Sequence, residues 1–150
     1  DLRFVIVAIK LGPELERIAD NAVNIAERVL HLSAQTPVKP LIDLPRMIAI
    51  AHAMVSDSIA SYVARDAKAA RQIIRRDDEV DALYMQIFRE LLSYMMEDPT
   101  TISRAIDLIL VARFVERIAD QATNIAEEVV YLVEAKPIRH VWPVPEDDTP

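Results

Sequence analysis

The chain has 150 residues, 52% of them apolar, with 24 acidic against 17 basic for a formal charge of −7, one glycine, nine prolines and no cysteine. The lack of thiols excludes disulfides and thiolate metal sites and fits a reducing, cytoplasmic setting. An acidic balance without a Lys/Arg cluster argues against nucleic acid or an anionic bilayer as a direct ligand, because both are held chiefly through basic groups. So many apolar positions suffice for one domain with a substantial core, and abundant Ala, Leu, Ile, Glu and Arg beside a single Gly predict an all-α protein.

Punctuation divides the chain into four helices. The first is expected over 2–33, with a kink or break near Leu11 and Gly12, because Pro13 removes a ladder hydrogen bond and crowds the preceding turn. The chain leaves it through a linker over 35–42 that contains Pro37 and Pro40. The second helix opens at Asp43 as N-cap, with Pro45 in its first turn, and runs to about 65. The third is expected from near Asp66 to Glu97. Asp98 then caps a fourth that begins at Pro99 and continues to 134, roughly 50 Å at 1.5 Å per residue. The tight turns at Asp66 and Asp98 predict an up-down-up antiparallel bundle of the last three helices. Residues 136–150, rich in Pro, Asp and Glu, read as a mostly disordered tail. The longest uncharged stretches, such as 47–56, reach about half of the roughly twenty residues that cross a bilayer, so no membrane insertion is expected. No secretory signal opens the chain, and the start at Asp1 reads as that of a processed or truncated chain.

Two stretches one hundred positions apart are nearly the same: ELERIADNAVNIAERVLHL from Glu14 and FVERIADQATNIAEEVVYL from Phe114, identical at twelve of nineteen positions. Such agreement marks two copies of one structural unit. At about 100° per residue, Glu16, Asp20, Asn24 and Glu27 share one stripe, while Ile18, Ala22, Ile25, Val29 and Leu32 lie on the far side of the helix. Glu116, Asp120 and Asn124 repeat the stripe over Ile118, Ala122, Ile125, Val129 and Leu132. Carboxylates four apart repel by a few tenths of a kcal/mol. Their recurrence at fixed offsets, while Asn21, Arg28 and His31 change to Gln121, Glu128 and Tyr131, points to a cation as ligand of outward-facing stripes. An ordinary solvated helix face is the plainer explanation for either copy alone.

The remaining polar and sulfur-bearing residues read as structural. His31 fits a helix-end residue interacting with the dipole better than a ligand reached through Glu27. His52 reads as a packed, hydrogen-bonded core residue, and Met85, Met95 and Met96 as core, with a contribution to a partner surface as the lesser alternative. Arg17 and Arg117 fit pairing with acids one turn away better than partner docking.

With ERIADNAVNIAE and ERIADQATNIAE each closing a helical unit, together with DDEVDALYMQIFRELLSYMMEDPTTISRAIDLILVARFVERIAD and the KPIRH after the last helix, the chain resembles the PhoU family. These are regulators of phosphate uptake built from two three-helix repeats. On that resemblance, 1–34 corresponds to the last helix of a truncated first repeat and 43–135 to a complete second one. The resemblance implies a cytoplasmic protein at the inner face of the membrane that works beside the Pst phosphate ABC transporter and the PhoR sensor kinase, restraining uptake and the starvation response when phosphate is plentiful. It also implies surface metal sites from acids on neighbouring helices, here Glu16 and Asp20, Glu116 and Asp120, and Asp77 and Asp81, with the second-repeat site the better formed.

Many relatives read ERIGDH where this chain has Ala19-Asp20-Asn21 and Ala119-Asp120-Gln121. The imidazole is thus absent, and oxygen ligands favour hard ions such as Mg, Ca or Mn over Zn, with Fe in carboxylate clusters still open. A lone amphipathic helix has to bury its stripe against the three-helix unit or another chain, so a homodimer or higher oligomer is expected. Two other classes compete. One is a metal-independent helical adaptor. The other is a carboxylate-bridged di-metal enzyme, which fits poorly because no Glu-x-x-His pair is present. No catalytic group is expected.

Overall fold

The computed structural model describes residues 2–136 and Ile138. It contains α1 (Leu2–Ser33), α2 (Asp43–Ala64), α3 (Ala67–Glu97), a 3-10 turn (Pro99–Thr101) and α4 (Ile102–Glu134), and no strand among the described residues. The all-α antiparallel bundle expected from the sequence is therefore present. The tail expected over 136–150 falls, apart from Lys136 and Ile138, outside the described residues; Ile138 is buried in the core.

The boundaries follow local chemistry. Asp66 caps α3 by accepting a 2.9 Å hydrogen bond from the Ala69 amide. Asp98 accepts 2.9 Å and 2.7 Å hydrogen bonds from the Thr100 amide and hydroxyl, and Pro99 opens a 3-10 turn that passes into α4. Two expectations need correction. Asp43 is the first helical residue, not the N-cap; Ile42 precedes it without a side-chain cap, and the Asp43 carboxylate accepts from Gln86 of α3 instead. Nor does α1 break at Gly12-Pro13, since it is one helix over Leu2–Ser33. Proline removes only its own amide from the ladder, and the turns on either side are held by packing on α4.

α4 is the axis of the molecule, packed by α1, α2 and α3 alike. Five of its alanines, Ala105, Ala112, Ala119, Ala122 and Ala126, are fully buried and let neighbouring backbones approach. Met47, Ala51 and Met54 of α2 and Ile73, Val80, Leu83, Ile87 and Leu91 of α3 complete the main core with them. α2 is long and apolar enough to cross a membrane by length and composition, more than its uncharged stretches suggested. In the bundle Leu44, Met47, Ala51 and Met54 are buried in the core shared with α3 and α4, whereas Ile48, Ile59 and Val63 are exposed, and Arg46–Glu79 (2.7 Å) and Arg76–Asp57 (2.6 Å) ion pairs join α2 to α3.

α1 runs antiparallel to α4, as the order of contacts shows: Arg3 to the Leu132 carbonyl, Lys10 to Glu128, Glu14 to Asn124 and Arg28 to Asp107. Val7 and Leu11 meet Ile125 and Leu132 in a second apolar cluster. The repeated apolar stripe is thus spent unequally. Ala122, Ile125, Val129 and Leu132 are buried, while Ala22 and Val29 stay exposed.

Candidate functional site

The acid row of α4 lies beside that of α3. Asp77 and Asp81 come from the middle of α3, one turn apart, and Glu116 and Asp120 come from α4, also one turn apart. Because the two helices are antiparallel neighbours, all four carboxyl groups share one strip, half-buried at Asp77, Glu116 and Asp120. The electrostatics record the crowding. Burial raises Asp77 to about 7, reinforced by repulsion from Asp81, Asp120 and Asp78. Burial also raises Asp81, with repulsion from Asp78; Glu116, with Asp120 and Asp81; and Asp120, with Asp81. Desolvation and like charge act in the same direction on every member.

Three neighbours shape the strip that sequence reasoning did not single out. Arg113 donates to both oxygens of Glu116, at 2.8 Å and 2.7 Å, draws Asp81, Glu116 and Asp120 downward, and lies 5.7 Å from the centre of the Tyr84 ring. Its i, i+3 spacing to Glu116 was the available signal. Asp78 adds charge from the same turn as Asp77. Thr123 draws Asp77 down a little, although its hydroxyl meets no partner in good hydrogen-bond geometry; Oδ1 of Asp77 is likewise buried and unpartnered.

The first copy differs. Glu16 and Asp20 are exposed on α1 and Asn24 is half-buried, and Pro13 stands where the second copy has Arg113. Asn124 turns away from the acid strip and donates a 3.2 Å hydrogen bond to Glu14 of α1, so it serves the α1/α4 contact. The outward-facing description holds for α1, but in α4 the stripe is partly covered by α3. Among the described residues, no three His, Asp or Glu side chains converge closely enough to share one metal ion as they stand. The donor set, all oxygen with one buried unpartnered atom, nevertheless has the chemistry of a hard-cation site.

Other expected roles have mixed outcomes. His31 stands in the last turn of α1, as expected, and in addition places Nδ1 2.7 Å from Asp107 in an interhelical contact. His52 is not core; it is exposed at the rim of an apolar groove of about 290 Å³ lined by α1, α2 and α4. Met85 (45% exposed) and Met96 (78%) are also exposed, whereas Met95 packs on the core. Arg17 does pair with Glu14 one turn away, at 3.4 Å.

A family model, the PhoU domain, matches residues 1–29 and 44–129. The chain belongs to the PhoU family. PhoU relatives include the phosphate-specific transport system accessory protein PhoU homologues of Aquifex aeolicus, 44% identical over 93% of this chain and 63% of that protein, and of Zymomonas mobilis, 46% identical over 91% and 57%. This member therefore spans about three-fifths of the length of the curated relatives it matches. Its fold is that of the PhoU crystal structure from Pseudomonas aeruginosa, with a TM-score of 0.86 at 38% identity, covering 91% of this chain and 66% of that one. The phosphate transport system regulatory protein PhoU from Streptococcus pneumoniae is similar as well, with a TM-score of 0.81 at 28% identity over 91% and 65%.

Proposed function

We propose that this chain is a non-catalytic, negative regulator of phosphate uptake and phosphate-starvation signalling. It acts at the cytoplasmic face of the membrane through the Pst phosphate ABC transporter and the PhoR sensor kinase, as a homodimer or higher oligomer. In this reading 1–34 is the last helix of one repeat unit and 43–135 a complete second unit. The names of its relatives, as accessory proteins of phosphate transport, support the regulatory role.

The observation that carries the mechanism is the strip of Asp77, Asp81, Glu116 and Asp120, four carboxyl groups from two helices all held toward protonation. These residues would hold a Mn, Mg, Fe or Zn ion, whose charge offsets their repulsion. Glu16, Asp20 and Asn24 form the weaker counterpart, and Asn124 contributes by positioning. A metal-independent adaptor is the second reading, favoured by the carboxylates not converging on one point.

Metal analysis of protein purified without chelator tests the first reading, with Asp77→Ala/Asp120→Ala as control. Bound metal lost in the variant supports the strip; no metal in either protein, with thermal stability unmoved by added ions, leaves the adaptor. Binding of purified PhoR cytoplasmic domain and Pst ATPase tests the partners.

A further inference from the structure

The acid strip is one end of a longer face. Counting about 100° per residue on α3 from Asp77, Asp81 lies near 40°, Phe88 near 20°, Leu92 near 60°, Met85 near 80° and Met96 near 100°. On α4, counted from Asp120, Arg113 falls near 20°, Ile106 near 40° and Ile102 near 0° by the same rule. The side of the α3/α4 pair that is acidic at mid-helix therefore becomes apolar toward the Asp98 turn. There Met85, Phe88, Leu92 and Met96 of α3 are 45%, 37%, 43% and 78% exposed, and Ile102 and Ile106 of α4 are 42% and 46% exposed. Tyr84 joins the two halves, its ring 6.5 Å from that of Phe88 and below Arg113. Six large apolar side chains open to water on one face exceed the scattered exposure of an ordinary surface.

We propose that this face docks an amphipathic helix of a partner protein, apolar at i, i+3, i+4 and i+7 over the Asp98 end and basic over Asp77, Asp81, Glu116 and Asp120. The face runs about 28 Å from Asp77 to Met96 at 1.5 Å per residue, the reach of a helix of about nineteen residues. Charge decides the occupant. Four acidic side chains from two helices on one strip answer a Lys/Arg row, a second copy seated through the same face brings no such row, and an anionic bilayer is repelled. The inference rests on the regulator reading only in requiring a protein partner, and it assigns that partner a surface.

The probe is a designed nineteen-residue peptide with lysines on one half and leucines at those spacings on the other, titrated in EDTA with amide chemical shifts and fluorescence anisotropy as readouts. Shifts confined to 77–96 and 102–123 are expected. So is binding at least tenfold weaker for Met96→Ser, for Leu92→Ser/Met96→Ser, and for a peptide with glutamates in place of lysines. Met96→Ser alters only an exposed side chain, which keeps the test valid if the double variant unfolds. The proposal is overturned by no binding, by shifts elsewhere, by variants that bind like the parent, by self-association that Met96→Ser abolishes, or by binding to phosphatidylglycerol vesicles at the same face. Manganese binding measured on the same proteins separates the two ideas: it should survive Met96→Ser, and its absence from the parent would sink the metal reading alone.

Discussion

Asp107, 4% exposed on α4, accepts a 2.9 Å hydrogen bond from Arg28 of α1, while His31 one turn further along α1 sits 2.7 Å from its other oxygen. The partners are unequal in burial: the Arg28 side chain is 45% exposed and that of His31 58%. Removing the acid lets both bases return to water, whereas removing both bases strands a buried carboxylate. Breaking a buried pair that way costs about 3–5 kcal/mol. Arg28→Ala/His31→Ala should therefore destabilise the fold by more than Asp107→Ala in urea unfolding; equal losses would show that the contact carries little.

The repeat supplies its own control for core packing. Ile125 is fully buried against Val7, Leu11 and Leu132, while Ile25, its counterpart in copy one, is half-buried. Ile125→Ala should lose about 2–5 kcal/mol, the range for a large-to-alanine change in a core. The identical change at Ile25 should lose distinctly less. Chemical denaturation with matched slopes decides between them.

Acid strength in the strip predicts an unusual pH profile. Asp77 has a native value near 7 against an ordinary 3.8, so between those values the folded state holds a proton the unfolded state has released. Stability then falls as pH rises through that window. Metal-free protein should melt higher at pH 5.5 than at pH 8 as far as this group is concerned, and Asp77→Asn should flatten the slope. An unchanged slope in the variant would remove Asp77 as its source.

Arg113 draws three members of the strip downward, Asp81, Glu116 and Asp120, and pairs with Glu116 at 2.7 Å. Arg113→Gln should raise the titration midpoints of Glu116, Asp120 and Asp81, followed by carboxyl carbon NMR, and steepen the loss of stability at neutral pH. If the three midpoints stay in place, the guanidinium does not govern them.

Gly12 lies within α1, and a methyl added there would meet nothing within 4 Å. Gly12→Ala should stabilise the protein by about 0.5–1 kcal/mol, the helical penalty of glycine. A loss of stability, read from thermal melts, would mean that α1 depends on the flexibility of this residue before Pro13.

Much of the architecture is local and was therefore readable. Asp66 and Asp98 cap because a short carboxylate reaches the next free amides. Apolar periodicity sets the helices, and the ERIAD repeat announces two like units. The repeated acids could be picked out for the same reason, since offsets of four along one helix place them on one stripe whatever lies beside it. What a stripe faces depends on neighbours far away in the chain, which periodicity does not encode. Packing of α3 beside α4 covers Asp120 and leaves Asp20 exposed, although the two share the motif. It also draws Arg113 into the strip, while packing of α1 on α4 turns Asn124 to Glu14 and seats His31 on Asp107, and the bundle leaves His52 and Met96 at the surface. Burial and the field of nearby charges are properties of several helices at once, so the ERIAD motif that the two copies share acquires different surroundings only when the chain has folded.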